Sequence, residues 1–287
     1  MEACELVRLF VNKAMAPPMP RRRGNPGYGR LKALRLLVYS RLVGLENDTR
    51  VVAHLEKHGY VARALGFRHG IPDRTTVGRW WRRYADALED VFRWICRMVT
   101  LLVPTELLIV DSSPLEDLHD LEAEEGVTSR GWFRGFKLHA SVNQHGLPLR
   151  HRVTPGNRHD SPVFPALIED LEAPLILGDA GYDSRANRRL AQGMGAVPVI
   201  ASNPRRGIRR GLPGEALDML RRKRYLVEQL FSLVKEPLLK GCWRRPRGLL
   251  KKAAIVTAAL TALNIDALQA ILEGDSSLKA VSRYWVR

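Results

Sequence analysis

Two aspartates close short apolar runs in this chain, and a third carboxylate follows on a helix. Leu107-Leu108-Ile109-Val110 leads into Asp111, and Leu175-Ile176-Leu177-Gly178 leads into Asp179. A side chain at the carboxyl end of a buried strand emerges into the crevice where α/β sheets hold their ligands. Gly178 and Gly181 leave the backbone beside Asp179 free to turn tightly. Taken singly, an aspartate after a strand is a turn former or a helix cap. Glu228 lies in the segment from Arg221 to Lys235, where a step of about 100° per residue groups Arg221, Arg224, Glu228, Phe231 and Lys235 on one arc. Leu226, Val227, Leu230, Leu233 and Val234 gather on the other side. Read alone, that helix carries an ordinary Arg–Glu pair worth about 0.2–0.5 kcal/mol.

Taken together, the three carboxylates form a hard oxygen donor set. Three anions in one crevice repel one another unless a counter-ion is present, which suits Mg²⁺ or Mn²⁺. Two such ions, about 3.5 to 4 Å apart, can activate an attacking oxygen and stabilise the leaving oxygen of a phosphodiester. With Asp111, Asp179 and Glu228 as ligands and catalytic groups, the chemistry to expect is phosphoryl transfer on DNA.

Two kinds of segment must position these residues. Residues 1–103 read as helices, with apolar positions three and four apart, such as Val51, Val52 and Leu55, then Val91, Ile95 and Met98. Within them, 61–87 reads as a helix-turn-helix, with Asp73 capping its second helix and Arg79 and Arg82 facing a groove. Past Pro104 the pattern turns to short β-rich runs at 107–110, 136–142, 149–153, 175–177 and 197–200, with helices at 161–171, 185–192 and 214–239. That order predicts an α/β catalytic domain over 104–270, a mixed sheet flanked by helices, after an all-α N-terminal DNA-binding domain and before a tail at 271–287. The acidic run from Glu116 to Glu125 shows no strand or helix pattern and reads as a solvated loop.

Charge points to the partner. The 287 residues hold 46 Lys+Arg against 30 Asp+Glu, a net charge of +16, with 45% hydrophobic and 26% charged residues. This is a folded composition, and a pI near 10.3 suits a polyanion. Residues 203–252 alone carry 15 Lys+Arg against four acids. Within them Arg205, Arg206, Arg209 and Arg210, then Trp243, Arg244 and Arg245, combine cations with one aromatic, which suits phosphate tracking and base stacking. Cys4, Cys96 and Cys242 lie too far apart for a zinc knuckle and fit a reducing compartment. Glu2 and Glu5 stand where a signal peptide would be cationic, and the apolar run 253–265 is shorter than the ~20 residues of a membrane span. A cytoplasmic, nucleoid-associated protein without a membrane partner is expected.

These motifs, in this order, resemble the DDE transposases of bacterial and archaeal insertion sequences, of the type grouped as families four and five. The resemblance rests on Val110-Asp111-Ser112-Ser113-Pro114, on Gly178-Asp179-Ala180-Gly181-Tyr182-Asp183-Ser184 and on Arg224, Glu228 and Lys235. The last three match the family's Tyr-x2-Arg-x3-Glu-x6-Lys pattern, with Arg221 standing where the family usually has Tyr. Gly135 to His139 and Thr154 to Ser161 look like the family's second strand and the start of its first core helix. The resemblance covers about 107–265 and implies a ribonuclease H-like core. It further implies binding of double-stranded DNA at terminal inverted repeats, assembly as a homodimer or higher oligomer, hydrolysis at the element's ends, and transfer of the freed 3′-hydroxyl into target DNA. Arg224 and Lys235 would touch the DNA backbone near the cut, and Arg221 a transposon end. His139 and His159 would lie near the phosphate. Two rivals stand beside this reading: a structure-specific nuclease of the same fold, and a non-catalytic DNA-binding descendant.

Overall fold

Amphipathic spacing folds the first hundred residues into helices: α1 (Ala3–Ala14), α2 (Arg30–Leu42), α3 (Asp48–Lys57), α4 (Gly59–Leu65), α5 (Arg74–Arg83) and α6 (Ala85–Leu102). Side-chain caps start two of them, Asn47 accepting from the Arg50 amide at 3.0 Å and Asp73 from that of Thr76 at 2.9 Å. Gly66, at φ +105°, ends α4 in the left-handed conformation that glycine adopts without a Cβ clash. This is a computed structural model, and it describes residues 2–15, 28–128, 131–203, 214–275, 278–279 and 284.

The chain divides into two compact units, Met1–Leu102 with Val234–Pro246 and Leu250–Arg287, and Val103–Leu233 with Arg247–Leu249. The linear expectation drew its boundary at 103/104 and took the sheet domain to 270, whereas the first stretch of these units ends at Leu102. The last long helix, α10 (Leu249–Glu273), instead groups almost wholly with the N-terminal helices, its Asn264 amide reaching Cys96 Sγ of α6 at 3.4 Å. Its 25 residues are long and apolar enough to cross a bilayer, so the shortness expected of 253–265 is not what argues against a span. Burial is: 89% of its most apolar stretch is packed inside the protein, as in a core helix. The three cysteines are buried, and none of them is in a disulfide.

The second unit carries a mixed sheet of β1 (Leu107–Glu116), β2 (Glu124–Thr128), β3 (Gly131–Val142), β4 (Pro148–Pro155), β5 (Leu175–Gly178) and β6 (Val197–Ile200). β3 is the long central strand of an antiparallel part, pairing with β1 on one side and with β2 and then β4 on the other. β1, β5 and β6 run parallel. α7 (Phe164–Ile168) packs on β3 and β4, α8 (Arg185–Gly193) on β6, and α9 (Gly214–Leu233) on β1, β3 and β6. The mixed sheet flanked by helices and the all-helical N-terminal region are as the sequence predicts.

Three local expectations are corrected. The predicted helix over 161–171 shrinks to a 3₁₀ turn and the short α7, because Pro162 and Pro165 break the amide ladder and Glu169 leaves helical geometry at ψ 130°. The helix predicted to 239 leaves α-geometry at Leu233 and passes into a π-turn over Val234–Leu238 that contains Pro237. The acidic run is no free loop. β1 extends to Glu116 and β2 begins at Glu124, while Asp117 and Asp120 are buried. Asp120 and Glu122 accept the amides of Gly248 and Leu249 at 2.9 and 2.8 Å, and the Arg247 guanidinium donates to the His119 carbonyl. The sequence hid this because the partners lie more than 120 residues away.

Gly135 is where β1, β2 and β3 crowd together. At φ +156° a Cβ there would lie 2.2 Å from the Leu115 carbonyl oxygen and 2.9 Å from the Asp117 nitrogen. Gly135→Ala should therefore destabilise the fold by about 2–4 kcal/mol, through strained backbone and main-chain overlap together. Denaturant unfolding checks this, and a loss below about 1 kcal/mol would mean that the strands yield freely.

Candidate active site

The parallel pairing of β1 and β5 sets Val110 opposite Gly178, so the next residues, Asp111 and Asp179, stand at one level; β5 ends there, whereas β1 runs on to Glu116, with Asp111 paired to Ala140 of β3 rather than closing its strand as the sequence predicts. Both carboxylates are first tied to local backbone. Asp111 Oδ1 accepts the Ser112 amide at 2.8 Å, and Asp179 Oδ1 accepts that of Gly181 at 2.9 Å, capping the 3₁₀ turn Ala180–Tyr182. The turn-and-cap role that single aspartates usually have is present at Asp179, whereas Asp111 lies inside β1, and in both the local bond uses only part of the carboxylate.

What remains is electrostatically uncomfortable. Asp111 is 4% exposed, and its carboxyl is pushed up to about 6, chiefly by burial, with Arg224 opposing and Asp179 adding to the rise. Asp179 is likewise pushed above the usual carboxylate range by burial and then by Asp160, again opposed by Arg224. Two acids that resist ionisation beside one another are the signature of a site short of positive charge.

Helix α9 brings the guanidinium that answers this charge. Arg224 Nε stands 3.0 Å from Asp111 Oδ2 and 3.5 Å from Glu228 Oε1, so Glu228, one turn on, joins the aspartates through a single cation. Glu228 itself is 62% exposed on its side chain. The three carboxylates are not closed into a cage: among the described residues, no group of three or more His, Cys, Asp or Glu side chains is gathered closely enough to hold a metal ion. Their chemistry nonetheless fits one. All are hard oxygen donors, Asp111 buried and Asp179 half-buried, both with raised proton affinity, and the cation that reaches both Asp111 and Glu228 is the Arg224 side chain. Such a donor set suits a hard divalent cation.

Behind the pair lies a buried polar layer, of which the sequence reading gave a role to His139 alone. The Tyr182 hydroxyl, fully buried, hydrogen-bonds the Ser112 side chain and lies 3.4 Å from His139 Nδ1. His139 Nε2 is 3.0 Å from Thr154 Oγ1, and burial lowers the ring's pKa to about 4, so the imidazole is neutral near pH 7. Lys137 Nζ donates to Asp160 Oδ1 at 3.0 Å and to the Arg158 carbonyl at 3.0 Å, placing a fourth acid beside Asp179 with its own counter-charge. Gly181 fits between these acids, since a Cβ there would meet Asp160 at 2.9 Å and Asp179 at 3.0 Å. His159, by contrast, is exposed. The signal for this layer was present in Gly135 to His139 and Thr154 to Ser161, but nothing in one strand's sequence tells which of its polar residues will face another.

The cations expected to meet DNA are spread over several elements. On α9, Arg221 is exposed and lies 3.6 Å from Asp218, whereas Phe231, placed by the helical wheel on the cationic arc, is 5% exposed and belongs to the buried side. Lys235 falls in the π-turn and is partly exposed. Arg244 and Arg245 are exposed, but Trp243 is 4% exposed with the Arg244 guanidinium 5.3 Å from its ring centroid, so base stacking by Trp243 is ruled out. Arg205, Arg206, Arg209 and Arg210 lie outside the described residues. On α5, Arg79 and Arg82 are exposed while Val77, Trp80 and Trp81 are buried, and α4 and α5 are separated by residues 66–73.

A mixed sheet in this order, with Asp111 on its first strand and Asp179 just past the parallel strand beside it, is the ribonuclease H-like fold of a DDE-type catalytic core. Residues 103–265 match the family described as the transposase DDE domain, and residues 4–83 match a second described as a transposase domain. Over 102 residues the chain is 34% identical to a putative transposase for insertion sequence element IS6501 of Brucella ovis, a match covering 34% of this chain and 75% of that protein. The chain belongs to the DDE transposases of insertion sequences.

Proposed function

We propose that this transposase cuts double-stranded DNA at the terminal inverted repeats of its element and joins the freed ends to target DNA, with Asp111, Asp179 and Glu228 as the metal-holding catalytic carboxylates. The observation that carries the reading is the pairing of Asp111 and Asp179 on adjacent parallel strands, both with raised proton affinity, bridged through Arg224 to Glu228. Two Mg²⁺ or Mn²⁺ ions, when bound, would neutralise charge at the attacked phosphate and at the leaving 3′-oxygen. The chain's own groups do the rest. Asp111 and Asp179 stay anchored by the Ser112 and Gly181 amides, so that their free oxygens point the same way through the reaction. Arg224, released from Asp111, is left to pair with the DNA backbone beside the cut, with Lys235 and Arg221 further along the strand. Water displaces the 3′-oxygen from the phosphodiester at the element's end. The resulting 3′-hydroxyl then attacks a target phosphodiester and expels its 3′-oxygen in turn. The protein acts in the cytoplasm at the nucleoid, as a homodimer or larger assembly on DNA.

The test is incubation of the full chain with Mg²⁺ and a duplex carrying the short inverted repeats that flank its gene. Cleavage at the repeat boundary, and joining of pre-cleaved ends to a plasmid, are the expected results. Cleavage without joining would make the protein a nuclease of this fold, and binding without either would leave only a DNA-binding descendant.

Exposed cations on α5 should add affinity that salt removes. Arg79→Ala and Arg82→Ala are each expected to weaken duplex binding and to lower the slope of log affinity against log salt by about 1, one released counter-ion apiece. Fluorescence anisotropy from 50 to 200 mM salt measures this. An unchanged slope in both variants would place DNA elsewhere on the protein.

A further inference from the structure

The helical unit holds a small cavity, away from the carboxylates, to which no role has yet been given. Its volume is about 310 Å³, at the low end of the roughly 300–1,000 Å³ of ligand sites, so one chemical group fits inside and a length of polymer does not. The end of α2 and the starts of α3, α5 and α10 wall it, with the turn at 242–246. Four cations line it, Arg41, Arg74, Arg245 and Lys251, against two acids, Glu46 and Asp48. Both acids have other partners: Arg50 lies 3.3 Å from Glu46 Oε1, and Asp48 Oδ1 accepts the Trp81 indole N–H at 2.9 Å. Arg41 is the unusual member. It is 2% exposed, yet each hydrogen bond it makes is to a neutral group. Its Nε donates to Ser40 Oγ at 3.2 Å, Nη1 to Cys242 Sγ at 2.7 Å and Nη2 to the Leu45 carbonyl, and the guanidinium lies 5.5 Å from the Trp81 ring centroid. Burial pushes the Cys242 thiol up, with Arg41 opposing, so the thiol stays neutral and supplies no counter-charge. A guanidinium has five N–H donors, and these bonds use three.

A cation taken out of water is costly unless an opposite charge meets it. Among the described residues, none of the four cations forms an ion pair with a carboxylate. Lys251 shows the same shortage, since burial lowers the proton affinity of its ammonium, with Asp48 opposing and Arg82 adding to the fall. A cavity walled by such groups is completed by an anion. We propose that it binds one phosphate group, with the buried Arg41 and the half-buried Lys251 inside and the exposed Arg74 and Arg245 at the rim. The planar fork of Arg41 has two N–H groups left for phosphate oxygens, and the other three cations balance the remaining charge. The site itself stands on this geometry. Its natural source of phosphate rests on the transposase reading: a backbone link of bound DNA, which enters one group at a time, the alternative being a free phosphate compound.

Calorimetric titration of the full chain with inorganic phosphate, at ionic strength held constant with chloride and without DNA or metal, tests the site. The wild type should bind phosphate, and Arg74→Gln and Lys251→Gln should each weaken that binding about tenfold. Neither position is fully buried, and circular dichroism of the variants confirms that they fold. Arg97→Gln, on an exposed position of α6 outside the cavity, should bind phosphate as the wild type does. Fluorescence anisotropy of the terminal-repeat duplex then separates the sources. If DNA supplies the group, phosphate competes with the duplex and both cavity variants lose duplex affinity. If a free phosphate compound supplies it, both variants keep duplex affinity while losing phosphate. A wild type that shows no phosphate binding above chloride, or cavity variants that bind phosphate like the wild type, would overturn the proposal. Absence of cleavage in a protein that takes phosphate normally would instead count against the catalytic reading alone.

Discussion

Replacing Asp111 or Asp179 with asparagine, or Glu228 with glutamine, should each reduce Mg²⁺-dependent cleavage of a terminal-repeat duplex by about a thousandfold or more, with duplex binding and its salt dependence little changed. The substitutions keep the shape of the side chain and remove the charge. Asparagine still accepts the Ser112 or Gly181 amide that ties each position down. The residual effect is thus on the free oxygens, which the local backbone does not use. Glu228 is the sharper case, because its link to the aspartates runs through Arg224 rather than by direct contact. A Glu228→Gln protein that cuts at the wild-type rate would remove it from the ligand set and leave the two aspartates with some other third donor. Quantitative gel analysis of cleavage, paired with anisotropy for binding, reads both arms on the same DNA.

The second large effect is on stability and carries the opposite sign. The Asp111 carboxyl titrates near 6 in the fold, against about 3.9 in an unfolded chain, so between those values the folded state holds the proton more tightly. The apo protein therefore loses stability as pH rises from about 4 to about 6 and carries the full cost above it. Asp111→Asn never ionises. In EDTA at pH 8 it should be more stable than the wild type by about 1–3 kcal/mol, the lost Arg224 contact trimming the gain, and the difference should close toward pH 4. Adding Mg²⁺ should stabilise the wild type more than the variant, since a ligand that binds only the folded state raises its unfolding free energy. Denaturant unfolding at the two pH values measures this. A variant less stable than the wild type at pH 8 would mean that Asp111 is well solvated or fully paired by Arg224.

Both effects come from one arrangement. A site built to receive cations is under strain when none is present, and Arg224 relieves part of that strain from a helix one could not have placed by sequence alone. The buried layer of His139, Tyr182 and Lys137 adds rigidity without adding charge at the crevice. His139 is neutral near pH 7, and the Lys137 ammonium is matched by Asp160 at 3.0 Å.

The residue order by itself determined a good deal. The apolar runs before Asp111 and Asp179 marked two buried strand segments, because a buried strand needs a near-continuous hydrophobic stretch, but only Asp179 closes its strand, while β1 runs on through the buried Asp111 to Glu116. Three- and four-residue spacing marked the N-terminal helices and the α9 face with Arg224 and Glu228, because a helix repeats every 3.6 residues whatever it packs against. Excess Lys and Arg marked a polyanionic partner, because net charge is a property of composition. Tertiary structure alone decided the rest, and in each case the deciding partner was distant in sequence. β2 and the tied loop before it depend on pairing with β3 and on amides near 248, so local pattern showed only acids. Phe231 and Trp243 are buried because of what packs over them, which no helical wheel contains. The strained proton affinity of Asp111 arises from low dielectric and from Asp179 and Arg224, groups joined only when parallel strands and a returning helix converge. Electrostatic energy depends on distance through space, and a sequence records distance only along the chain.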